Sequence, residues 1–148
     1  MRVIVQRVKE ARVLDINQKK VVGQINNGLL ILLGIKKGDS KKEVDYLSEK
    51  ISKLRIMSDK KGKMNLSIKD VKGEVLVVSQ FTLYGETKGQ NRPSFINAEE
   101  PQKAEELYNY FLEKLKSTGI KVEKGSFGNY MEITSVLDGP VTIIINSN

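Results

Sequence analysis

The chain has 148 residues, 39% of them hydrophobic, and its 25 lysines and arginines outnumber its 18 aspartates and glutamates, leaving a net charge of +7. It contains neither histidine nor cysteine, which excludes a Ser-His-Asp relay, an imidazole base, a disulfide framework and the usual ligands of zinc. No apolar run is long enough for a membrane-spanning helix and no leader pattern opens the chain, so the expectation is one cytoplasmic domain without metal or cofactor.

In chain order, Arg2 to Lys9, Arg12 to Ile16 and Val21 to Ile25 read as short strands. The unbroken apolar run Leu29 to Ile35, between Gly28 and Gly38, fits a central strand buried on both faces. Ser40 with Glu43 forms a capping box, opening a helix whose Val44, Leu47, Ile51 and Leu54 recur at helical spacing. A polar connection around Gly62 leads to a strand from Gly73. Gly85 to Phe95 follows as a loop with two glycines, Lys88 and Arg92. Pro101 suits the first turn of a second amphipathic helix with Ala104, Leu107, Tyr108, Phe111, Leu112 and Leu115 on one face; Gly119 fits its stop. Strands near Ile120 to Lys124, Tyr130 to Leu137 and Val141 to Asn146 complete the chain. The sum is one α+β domain over residues 1–148: a largely β, mixed, barrel-like sheet with two amphipathic helices.

The stretch "VLVVSQFTLYG", Val75 to Gly85, starts as a core strand and turns polar with no turn residue to excuse it. If it stays extended to Tyr84, alternation puts Gln80 and Thr82 on the face of Leu76 and Val78. Polar groups there need partners, because an unsatisfied buried one costs about 1–3 kcal/mol. Two readings stand: a pocket at the strand end that aims hydroxyls and an amide at a ligand, or a strand leaving the core with those groups bonded to backbone. Ser79 or Thr82 as a nucleophile would need a base, and only carboxylates or lysines are on offer. Asp138-Gly139-Pro140 reads as a turn between strands or as a cis Gly-Pro bond that lets a ligand or backbone approach. The basic excess fits either a solvated lysine surface or a polyanionic partner.

Together, "VVSQFTLYG" (Val77 to Gly85), "GPVT" (Gly139 to Thr142), "FGNYM" (Phe127 to Met131) and "VQRV" (Val5 to Val8) resemble the D-aminoacyl-tRNA deacylase family. "GLLILLGI", "GKMNLS" and "RPSF" support the match, which runs in order over nearly the whole chain. Leu137 departs from it, standing where the family often has Asn. The resemblance implies hydrolysis of the ester between a D-amino acid, or glycine, and the tRNA 3′ end, with L-aminoacyl-tRNA rejected. It implies a homodimer with sites at the subunit interface. Ser79, Gln80 and Thr82 correspond to the catalytic motif around the terminal adenosine. Phe81, Phe127 and Met131 correspond to substrate-binding positions. Gly139 and Pro140, cis in the family and braced by Arg7, correspond to a chirality filter that enters the partner's site. Lys88 and Arg92 become candidate tRNA contacts. The alternatives are a non-catalytic RNA-binding dimer and a small-molecule Ser/Thr esterase.

Overall fold

The computed structural model describes residues 1–147 and is organised around one long strand. β1 (Arg2–Asp15) is continuous where the sequence pattern predicts two strands. Its partners explain why: β3 (Gly28–Gly34) pairs with it from Arg2 to Val8, β2 (Lys20–Ile25) from Ala11 to Asp15, both antiparallel. β8 (Met131–Asn146) runs antiparallel along its other edge over nearly the whole length. On the far side of β3, β6 (Glu74–Ser79) and then β7 (Lys121–Lys124) add in parallel. The sheet is therefore mixed and curls, with β2 coming up against β6 and β7.

β8 is also a single element. Gln6 pairs with Thr142 and Val8 with Leu137, so Asp138, Gly139, Pro140 and Val141 together face Arg7 alone. The Asp-Gly-Pro signal thus marks a bulge, not a reversal: the chain loops out and resumes in the same direction against the same partner. The Gly139–Pro140 bond is cis. The expected polar connection around Gly62 contains a small hairpin, β4 (Met57–Ser58) with β5 (Met64–Leu66). Asp59 closes it by accepting from the Lys61 and Lys63 amides at 2.8 and 3.0 Å.

β3 is buried on both faces, as its unbroken apolar run requires. Leu29, Ile31 and Leu33 join Val75 and Val77 beneath the helices; Leu30 joins Leu76, Val78, Val8 and Val13 inside the curl. α1 (Lys41–Ser52) covers the first layer with Val44, Leu47 and Ile51, and α2 (Pro101–Ser117) with Leu107, Tyr108, Phe111, Leu112 and Leu115. Burying each such side chain stabilises the fold by roughly 1.5–3 kcal/mol. Among the described residues no helix is long and apolar enough to cross a membrane.

α1 starts where the sequence places it: the Ser40 hydroxyl accepts from the Lys42 amide at 3.3 Å, and Glu43 reaches back to the Ser40 amide at 2.8 Å. Ser40→Ala removes this reciprocal cap, and urea denaturation should show a loss of about 1 kcal/mol with an unchanged m-value.

Candidate active site

β6 ends at Ser79, and the Gln80 amide donates a last sheet-like bond to the Leu33 carbonyl at 2.8 Å. The chain then tightens into a 3-10 turn, Phe81–Tyr84, instead of extending to Tyr84. The face-sharing of Gln80 and Thr82 inferred from strand alternation therefore does not occur. Gly34 leaves the space for the turn: a Cβ there would lie 3.0 Å from Leu83 Cβ and 3.1 Å from the Gln80 carbonyl oxygen. Arg2 holds it in place, with Nη1 donating to the Leu83 carbonyl at 2.9 Å and the guanidinium 5.3 Å above the Tyr84 ring. Burial, with the Asp39 charge nearby, pushes the Tyr84 phenol up to about 12, so it stays neutral beside Arg2.

The turn still brings the polar pair together. The Gln80 side-chain amide donates to the Thr82 hydroxyl, which fixes the orientation of that amide. Ser79, Gln80 and Phe81 line a cavity of about 570 Å³ whose apolar walls include Phe95, Ile96 and Phe127. Thr82 stands outside that lining and is exposed. Phe81 is 57% exposed and meets Phe95 edge-on at 5.1 Å between centroids. Lys37, Glu99 and Glu100 supply charge at the cavity's border.

Phe127 enters the cavity from the turn that follows β7, and a carboxylate far away in the chain sets its position. Asp15, at the end of β1, is fully buried. It accepts from the Asn129 side-chain amide at 2.7 Å, and from the Gln18 amide at 2.9 Å and Gln18 side chain at 3.0 Å. Asn129 also donates to the Ser126 hydroxyl at 2.9 Å, and the Ile16 amide to the Tyr130 carbonyl at 3.0 Å. The Ser126–Asn129 turn is thus tied to β1, and Phe127 leans on Tyr108 at 5.6 Å between centroids. Met131 does not form a wall of the cavity in a single chain. It packs beneath the turn on the inner core, its Sδ accepting from the Ser126 amide at 3.2 Å. The inward phase of β8 at its first residue takes it there, and Phe95 supplies a further aromatic wall.

Gly139 and Pro140 are exposed on β8 and are not part of the cavity lining. Arg7 does brace them. Its Nε donates to the Asp138 carbonyl at 3.2 Å and pairs with the Asp138 carboxylate at 2.9 Å, while Nη1 donates to the Ile56 carbonyl at 2.8 Å and the Ser58 hydroxyl at 3.2 Å. Gly139 has φ +121°, and a Cβ there would sit 2.9 Å from Val141 Cγ2 and 3.1 Å from Arg7 Nη2. Only glycine fits the bulge as built. Lys88 and Arg92 are exposed on the loop after the 3-10 turn, which is pinned by the Glu86–Ser94 bridge.

The chain matches the model of the D-Tyr-tRNA(Tyr) deacylase family over residues 4–146. It belongs to that family. The D-aminoacyl-tRNA deacylase of Thermosipho melanesiensis is 51% identical over 99% of this chain and 97% of its own length. That of Desulfatibacillum aliphaticivorans is 54% identical over 99% of each. Among solved structures, the c-Myc DNA Unwinding Element Binding Protein superposes with a TM-score of 0.92 at 39% identity, covering 100% of this chain and 99% of that one. A probable eukaryotic D-amino acid tRNA deacylase shares the fold, with a TM-score of 0.84 at 16% identity over 97% of each chain.

Sequence reasoning missed Arg2, Asp15 and Phe95. A signal for Asp15 was present: it lies in the same alternating phase of β1 as Ala11 and Val13, so a carboxylate was due to be buried. Hydrogen bonds from the Ser126 hydroxyl and the Gln18 amide, helped by Asn129 and Asn17 against the opposing effect of burial, hold its carboxyl at about 2. A folded-state value below the ordinary one makes its stabilisation complete above about pH 4, and lost as pH falls toward 2. The urea midpoint of the wild type should therefore exceed that of Asp15→Asn at pH 6, with the gap narrowing as pH drops from 4 to 3. A gap that is constant across this range would mean that the Asp15 charge does not hold the turn.

Proposed function

We infer that this chain is a D-aminoacyl-tRNA deacylase. It hydrolyses the ester joining a D-amino acid to the 3′-terminal ribose of tRNA, releasing the free amino acid and tRNA. The observation that carries the reading is full-length kinship at about 50% identity with deacylases, joined to a Ser79–Gln80–Phe81 cavity large enough for a nucleoside. Water attacks the ester carbonyl, the bond from that carbon to the ribose oxygen breaks, and the oxygen leaves with a proton. An aminoacyl ester is activated, so the protein need only position it. The neighbouring ribose hydroxyl assists the water, and backbone N–H groups steady the oxyanion. Ser79 and the Thr82-oriented Gln80 amide hold the ester end; Phe81, Phe95 and Phe127 receive the adenine, as aromatics receive unstacked bases. A Ser/Thr esterase needs a base at its hydroxyl, and the partner of Thr82 is an amide, which is none.

The Arg7-braced Gly139–Pro140 bulge is the chirality filter, and a second copy of the chain presents it to the cavity in a homodimer. A rigid backbone group near the α-carbon excludes an L side chain whatever its identity and lets glycine pass. Lys88 and Arg92 contact tRNA phosphates, and the enzyme works in the cytoplasm where charged tRNA is found.

The test compares substrates at equal enzyme concentration. D-aminoacyl-tRNA and glycyl-tRNA should be deacylated and L-aminoacyl-tRNA left intact. A D-aminoacyl-tRNA ending in 2′-deoxyadenosine should bind yet turn over roughly 10²-fold more slowly or worse. Ser79→Ala and Thr82→Ala should slow the reaction, and neither should trap an acyl-enzyme. Cleavage of the deoxy substrate at the normal rate would require a base borne by the protein.

A further inference from the structure

Phe127 is a wall of two cavities. One side faces the Ser79–Gln80–Phe81 cavity; the other faces a second space of about 400 Å³, between the start of β2, the middle of α2 and the end of β7. The two differ in chemistry. The first has mainly apolar walls, whereas the second presents Lys20, Lys124, Asn109 and Ser126 with a single carboxylate, Glu105. Among the described residues neither Lys20 nor Lys124 takes part in an ion pair, although the lysines at 37, 53, 103, 114 and 121 each do. Both are exposed, Lys20 at the start of β2 and Lys124 at the end of β7. The partition between the cavities is built to stay put, because the Ser126–Asn129 turn is fastened to buried Asp15.

We propose that this second cavity binds the phosphodiester backbone of the single-stranded RNA immediately 5′ of the terminal nucleoside. The inference rests on the deacylase reading for one point, that the terminal adenosine occupies the neighbouring cavity. Covalent continuity then keeps the preceding phosphate close to that cavity, and the basic space across Phe127 adjoins it. Two ammonium groups outside any ion pair and the Asn109 side-chain amide are the donors that recognise phosphate oxygens without reading a base. Such binding fixes the register of the strand, so that the ester and not an internal nucleotide reaches Gln80. It also suits an enzyme that must accept many tRNAs, since every one offers the same backbone there.

The experiment measures binding separately from cleavage. Wild type, Lys20→Ala/Lys124→Ala and Lys20→Glu/Lys124→Glu are titrated with an uncharged, CCA-ended minihelix RNA over a range of salt. The same proteins are assayed for cleavage of 3′-O-(D-aminoacyl)adenosine, which ends at the terminal nucleoside. The double alanine variant should bind the RNA about tenfold more weakly at low salt, with a slope shallower by about 0.7 for each single-strand phosphate that is no longer neutralised. The double glutamate variant should bind more weakly still. Cleavage of the adenosine ester should be unchanged in both. Unaltered RNA affinity and slope in the double alanine variant would overturn the proposal, as would an equal reduction on the adenosine ester, which would assign the lysines to the reaction centre. A wild type that binds the RNA with the expected lysine dependence but cleaves no D-aminoacyl ester would instead overturn the deacylase reading and leave the backbone site standing.

Discussion

The guanidinium of Arg7 is buried in the middle of a strand, and a charge taken out of water is tolerable only when its donors are fully engaged. Here the acceptors are the Asp138 carboxylate and carbonyl, the Ile56 carbonyl and the Ser58 hydroxyl. They come within reach only if β8 loops out at Asp138 to Val141 and β4 comes in close. The bulge that displays Gly139 and Pro140 is in this sense the counterpart of a buried charge. Two more charged side chains of the same strand act likewise: Arg2 fastens the 3-10 turn that follows Gln80, and Asp15 fastens the turn that carries Phe127. β1 is paired along both edges. Its three anchors are therefore set on the least deformable part of the sheet, and the irregular segments inherit that rigidity.

This arrangement suits chemistry without histidine or cysteine. Where no side chain supplies a strong base, rate comes from placing an activated ester, its neighbouring hydroxyl and a water correctly, and small misplacements are expensive. Gln80, Phe81 and Phe127 sit at or on turns, which are ordinarily the mobile parts of a fold. Anchoring each turn to one strand by charge-assisted hydrogen bonds restores precision. Arg7 holds the Gly139–Pro140 bulge in place, outside the lining of the cavity in its own chain. In the dimer we propose, a second copy supplies the filter that acts on that cavity.

Much of the fold was legible in the sequence because periodic burial determined it. The run Leu29 to Ile35, the Ser40–Glu43 cap and the stripe from Leu107 to Leu115 each imply their element with little help from elsewhere. The failures lie where a partner strand decides. Nothing local tells that Arg2 to Asp15 is one strand; that follows from β8 pairing along it. Asp-Gly-Pro reads as a reversal until Arg7 is placed opposite it. Gln80 to Tyr84 continues the strand pattern on paper, but Gly34 opens a space that the 3-10 turn fills. Family motifs indicated Ser79, Gln80 and Phe127 at the cavity and Arg7 at the bulge. They pointed to Met131 as a wall, whereas β8 turns it beneath the Phe127 turn in the single chain. Arg2 and Asp15 carry no motif; their importance is a matter of what they hold.

The central claim is that a working site joins the Ser79–Thr82 segment of one copy to the Gly139–Pro140 bulge of another, and mixed dimers test it directly. Thr82→Ala impairs the cavity and leaves the bulge intact; Gly139→Ala displaces the bulge and leaves the cavity intact. Each homodimer should be severely impaired toward D-aminoacyl-tRNA. After the two are unfolded and refolded together, about half the molecules should be mixed, each with one intact cavity facing one intact bulge. Deacylation should then recover to roughly a quarter of the wild-type rate, with L-aminoacyl-tRNA still rejected. A mixture no more active than the average of its two parents would show that the bulge serves only its own chain, and would contradict the account.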